Sequence, residues 1–172
     1  MPTAGSHNAL TTDASRLQAT PRAAAWHLPR CRSCATKIPL CRQLSWRLSP
    51  WTDLALTGAS LQSNAEADPM MSVDAMPNFV THYLAGADPM HPYASPLHGD
   101  MSGLPPALIQ VGSDEILRDD GVRMAEKLRS AGCDSEIEIW PRMPHCWQLY
   151  ARILPEARIA IEHIGMFLDR TL

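Results

Sequence analysis

The feature that most constrains this chain is an alternation of two periodicities between residues 107 and 167. Ala107-Leu108-Ile109-Gln110-Val111 is a short apolar run ended by Gly112, and it reads as a buried strand. From Asp119 or Asp120 onward, Val122, Ala125, Leu128 and Ala131 step by three with Met124 alongside, a helical face that Gly132 closes. Ser135-Glu136-Ile137-Glu138-Ile139-Trp140 then alternates polar and apolar, as a strand with one wet face does. Pro155 opens a last helix, followed by Ala157, Ile159, Ala160, Ile161, Ile164 and Phe167. Strand, helix, strand, helix predicts parallel α/β packing.

Upstream the signals are weaker. A strand is expected only in the last residues of the run 44–49, before Pro50. Ser72 is expected to cap a helix from Val73 through Leu84, closed by Gly86, with Pro77 displacing or kinking its start. Residues 87–106 carry Pro89, Pro92, Pro96, Pro105 and Pro106 and read as loop.

A chain of 172 residues fits one domain with a real core, and 45% hydrophobic content excludes a wholly disordered protein. Charge divides it. Seven basic residues and one acid (Asp13) precede Leu48, whereas eight basic and seventeen acidic residues follow. Cysteine divides too, with Cys31, Cys34 and Cys41 before the step and Cys133 and Cys146 after it. Such a step marks a boundary, so residues 1–47 are read as an irregular tail and 48–172 as the folded unit. The mildly acidic net charge of -3 argues against a nucleic-acid partner. No apolar run approaches the roughly 20 residues that span a bilayer. No basic and then apolar leader opens the chain, so the default location is cytoplasmic.

The tail offers little chemistry. Cys31-Arg32-Ser33-Cys34 is a C-x-x-C with Cys41 nearby, but a zinc site needs a fourth ligand, and only His27 is near, on the wrong side of the pattern. A redox motif needs a strand before it and a helix after it. The acid-poor, Arg- and Ser-containing composition also resembles an organelle transit peptide.

Two strand ends carry the candidate chemistry, since ligands gather at the carboxyl ends of strands in open α/β sheets. Gly112-Ser113-Asp114 follows one strand and Pro144-His145 follows the next. Asp114 would accept a hydrogen bond from the imidazole and fix its tautomer, and His145 would be the general base. The plainer alternative is a loop histidine and a solvated acid beside Glu115.

Five segments occur in a specific order: Leu48-Ser49-Pro50-Trp51-Thr52-Asp53-Leu54, Ser95-Pro96-Leu97, Leu104-Pro105-Pro106, Ile109-Gln110-Val111-Gly112-Ser113-Asp114-Glu115, and Met143-Pro144-His145-Cys146-Trp147-Gln148-Leu149. Together, from about Leu48 to the end, they resemble the C-terminal half of the hormone-sensitive-lipase-like α/β-hydrolases, the bacterial esterase/lipase group. The resemblance implies a partial α/β-hydrolase fold of C-terminal parallel strands with flanking helices. It implies hydrolysis of a small-molecule carboxylic ester, Asp114 as triad acid, His145 as triad base, and no metal or organic cofactor. It also assigns Trp51 and Asp53 to a segment of structural role. Arg142 stands where the family often has glycine.

The family's G-x-S-x-G elbow and its His-Gly-Gly-type oxyanion loop are absent from this sequence. No residue here can be named as nucleophile, and the chain is expected to be inactive alone. A neighbouring reading frame is expected to account for the loss, the alternative being an unrelated natural tail. With mostly G-ending codons, residues 18–28 read one nucleotide earlier spell Gly-Asp-Ser-Ala-Gly-Gly-Gly-Leu-Ala-Leu, at the family's spacing from Leu48. Residues 1–47 are therefore expected to be out-of-frame translation. Without the preceding strands the sheet has an exposed edge, a site for self-association. The alternative function is a non-catalytic fragment or binding partner that pairs through that edge.

Overall fold

Backbone pairing between parallel strands requires a crossover after each, and the chain supplies both. The structure, a computed structural model, describes residues 45–171. The C-x-x-C, Cys41, His27 and the out-of-frame reading lie outside the described residues, apart from the last three positions of the proposed tail. Those three, Ser45 to Arg47, belong to strand β1 (Ser45–Leu48), so the expected boundary at residue 48 falls inside a strand. The chain then passes α1 (Ser60–Ser63) and α2 (Met76–Leu84), enters β2 (Ala107–Gly112), crosses back through α3 (Arg118–Ser130), runs along β3 (Ser135–Trp140) and ends in α4 (Pro155–Thr171).

The sheet has the order β1-β2-β3, all parallel. Ser45 pairs with Ala107, Ala107 with Ser135, and Gly112 with Trp140. Every residue of β2 is buried, as a central parallel strand covered on both faces must be. Its side chains divide by a period of two. Ala107, Ile109 and Val111 pack with Met124, Ala125 and Leu128 of α3. Gln110, on the opposite face, donates from Nε2 to the carbonyl of Ala160 in α4 at 2.8 Å. Gly121 lets α3 approach the sheet, because a Cβ there would lie 2.4 Å from Val111 Cγ1.

A buried ionic knot ties the segment after β1 to α3. Asp120 Oδ2 accepts the Thr52 and Asp53 amides at 2.8 and 2.9 Å. Arg123 bridges Asp120 Oδ1 and Asp53 Oδ2 at 3.0 and 3.1 Å. Burial alone would raise the Asp53 carboxyl. Hydrogen bonds from the Thr57 hydroxyl and amide, from Arg123 and from His98 outweigh it and hold the group down at about 2. Asp53 thus has the structural place expected of it.

Several expected boundaries shift. Ser72 makes no side-chain cap, and a 3-10 turn over Val73–Ala75 precedes α2, which puts Pro77 in the first helical turn where its missing N–H costs nothing. The closing glycine is displaced too, since Ala85 itself takes the left-handed conformation at the helix end, followed by Gly86. Helix α3 begins at Arg118 rather than at Asp119 or Asp120. The loop 87–106 contains a 3-10 turn over Pro96–His98. Short helix α1 has no counterpart among the expected elements, since four residues carry no readable periodicity.

Candidate active site

The carboxyl ends of β2 and β3 converge because a glycine ends β2. A Cβ at Gly112 would sit 2.0 Å from the carbonyl oxygen of Met143, so only glycine admits the Met143-Pro144 turn so close. That turn is pinned on both sides. The Ser113 amide donates to the Trp140 carbonyl at 2.8 Å, and the Arg142 amide donates to Ser113 Oγ at 2.8 Å. Arg142 takes a positive φ of 57°, a conformation glycine would adopt at less cost. Farther on, the Cys146 amide donates to Ser49 Oγ at 3.0 Å. Both Cys146 and Ser49 have positive φ, which aims the end of β1 and the end of the histidine turn at each other.

These constraints set His145 against a carboxylate, but the carboxylate is Glu115. His145 Nδ1 lies 2.9 Å from Glu115 Oε2. The expected pairing of Asp114 with His145 does not form. Asp114 Oδ1 instead accepts a hydrogen bond from Ser113 Oγ at 2.6 Å. Within the bend after β2, Asp114 is engaged by Ser113 and Glu115 is the acid that reaches the histidine. Glu115 is 0% exposed, and its second oxygen accepts the Gly112 amide at 2.8 Å, which fixes the carboxylate plane.

The electrostatics follow from this placement. Burial alone would lower the His145 pKa. Side-chain interactions with Cys146 and with Glu115 outweigh it and push the pKa up to about 10. The buried Glu115 carboxylate thus favours the protonated form of the imidazole. Cys146 also directs its thiol to the Leu48 carbonyl at 3.8 Å.

Sequence reasoning paired His145 with Asp114, and the structure sets Glu115 beside the imidazole instead. The one available signal was Glu115 itself, immediately after Asp114 and one methylene longer. Two further side chains were missed altogether. Asn64 Nδ2 donates to the carbonyls of Ser113 at 2.8 Å and Glu115 at 2.9 Å. Asp68 Oδ2 accepts the Ile116 amide at 2.9 Å. Among the described residues, no group of three or more His, Cys, Asp or Glu side chains could hold a metal ion, and no helix is long and apolar enough to cross a membrane.

Comparison with known proteins adds the wider frame. The family model described as alpha/beta hydrolase fold matches residues 31–149. An acetyl-hydrolase of Streptomyces hygroscopicus is 46% identical over 121 residues, 70% of this chain and 40% of that protein. An esterase of Acinetobacter venetianus is 39% identical over the same shares of the two chains. The chain thus spans about two fifths of the length of these curated relatives. A crystal structure of an esterase from the bacterial hormone-sensitive lipase family superposes with a TM-score of 0.73 at 43% identity, covering 74% of this chain and 43% of that one. The esterase EstE5, in crystals soaked with p-nitrophenyl butyrate, superposes at 0.71 with 41% identity over the same shares. Fold, strand-end site and these likenesses agree: the chain belongs to the α/β-hydrolase fold family, in its hormone-sensitive-lipase-like esterase group.

Proposed function

We propose that this chain carries the acid and base of a serine carboxylester hydrolase site, Glu115 and His145, and is itself catalytically silent. The observation that supports this most is the buried Glu115 carboxylate 2.9 Å from His145 Nδ1, at the carboxyl ends of adjacent parallel strands. In a complete site a serine hydroxyl would attack the ester carbonyl while the other ring nitrogen of His145 takes its proton. Glu115 would keep its hydrogen bond to Nδ1–H and stabilise the imidazolium that forms. The same nitrogen would then return the proton to the leaving alcohol. Asp114, the expected acid, has in this reading the role of bracing the loop through Ser113.

The silence has one source. The sequence holds no G-x-S-x-G elbow. Without an elbow serine, the His145 and Glu115 pair has no hydroxyl to activate. Hydrolysis of p-nitrophenyl butyrate by the chain and by His145→Ala tests the reading. Equal background rates are expected. Activity in the parent that is lost in the variant would overturn the silence and point to an unrecognised nucleophile.

Residues 1–47 are read as out-of-frame translation of the elbow region. Strand pairing uses backbone groups, so Ser45 to Arg47 can pair with β2 whatever their side chains. The family match opens at residue 31, so the coding DNA, rather than the protein, decides where the frames meet. A neighbouring frame spelling Gly-Asp-Ser-Ala-Gly, preceded by a His-Gly-Gly loop, is the expected result; a meaningless frame would make the tail genuine. A second reading, a binding fragment, rests on one observation: among the described residues β1 is an outer strand of the sheet.

A further inference from the structure

Three buried polar side chains at one-turn spacing converge on the loop that holds Glu115. Ser60, Asn64 and Asp68 are linked by backbone bonds of helical span, the Asn64 amide to the Ser60 carbonyl and the Asp68 amide to the Asn64 carbonyl, each 3.0 Å. They therefore lie on one line. Ser60 Oγ donates to the Ile116 carbonyl at 2.7 Å and accepts the Asp119 amide at 3.0 Å. Asn64 Nδ2 takes the carbonyls of Ser113 and Glu115, and Asp68 Oδ2 takes the Ile116 amide. Every one of these bonds crosses about fifty residues of sequence and ends on the backbone between 113 and 119. A loop of this kind has no partner strand for its backbone groups, and burying them unpaired would be costly. The line of side chains meets that need and, with it, fixes the direction in which Glu115 leaves the backbone.

We propose that Ser60, Asn64 and Asp68 form a bracket that positions Glu115, with Asn64 as its central positioning residue. Both Asn64 N–H groups are committed, one on each side of Asp114, so the two acids cannot exchange places while the bracket holds. The bracket decides which acid faces His145. This rests on the reading of Glu115 and His145 as a functional pair.

The test uses the full chain and the pH dependence of histidine carbethoxylation by diethylpyrocarbonate, read residue by residue by peptide mass mapping. Only neutral imidazole reacts, so the half-labelling pH follows protonation. His163, whose Nδ1 faces Glu138 at 2.9 Å on the α4 side, is the internal control. Asn64→Ala is expected to lower the half-labelling pH of His145 by about one unit or more, and to leave that of His163 as in the parent chain. Asp68→Asn, which keeps the side chain's shape and weakens the acceptor, is expected to shift it less in the same direction. Glu115→Gln sets the full effect. A variant that unfolds moves both histidines, and where Asn64→Ala does so, Asp68→Asn alone decides. His145 unmoved in the folded variants while Glu115→Gln moves it would overturn the bracket. His145 unmoved in Glu115→Gln as well would overturn the pairing on which the bracket rests.

Discussion

Asp114 and Glu115 differ by one position, and that position separates a hydrogen bond with Ser113 from an ion pair with His145. The pair has a consequence for stability. His145 is raised from 6.5 to about 10 in the folded chain, so folding favours its protonated form. Its contribution is complete below the unfolded pKa of about 6.5 and is lost as pH rises through about 10. Urea unfolding midpoints of the parent chain and Glu115→Gln are therefore expected to differ most near pH 6 and to converge toward pH 10. A gap that widens with pH would contradict the assignment. Asp53 acts in the opposite direction. Its pKa is depressed to about 2, so its contribution stands above about 4 and fades as pH falls through about 2.

At the scale of elements, the site depends on how closely β2 and the turn after β3 approach. Gly112→Ala would drive a methyl group into the Met143 carbonyl. It is expected to cost at least about 2 kcal/mol, measured by urea unfolding, as overpacking against a rigid backbone does. Carbethoxylation of His145 should rise at the same time, because the histidine turn must move away from Glu115. Strands β2 and β3 and helices α3 and α4 were legible in the sequence, since each has its own periodicity or terminal residue. Helix α1 was not. Four residues, Ser60-Leu61-Gln62-Ser63, are too few to show a period, and α1 is held by Leu61 packed with Met76, Ile116 and Leu117 and by the loop bonds of Ser60 and Asn64. The polar line at 60, 64 and 68 was present in the sequence, but polar residues at helical spacing mark a wet face far more often than a buried one.

For the whole molecule, the controlling fact is that, among the described residues, β1 is an outer strand of the sheet. Trp46 lies on this edge strand and is 44% exposed. Edge strands of this kind template pairing with another chain unless charge or proline blocks them. Sedimentation velocity is expected to show concentration-dependent association of the chain, reduced by Trp46→Lys. A monomer at all concentrations, with cooperative melting, would count against an incomplete sheet.

Taken alone, the amino-acid order determined the alternation of strands and helices, the parallel sheet, the two strand-end loops and the family, because period, caps and ordered motifs are local properties. Only the tertiary structure decided which acid meets His145, what braces it and which strand is left at the edge. Those outcomes depend on contacts between residues thirty to seventy positions apart, such as Glu115 with His145, Asn64 with the Glu115 carbonyl, and Arg123 with Asp53. A sequence records which groups are available for such contacts, and the distance between them exists only once the chain has folded.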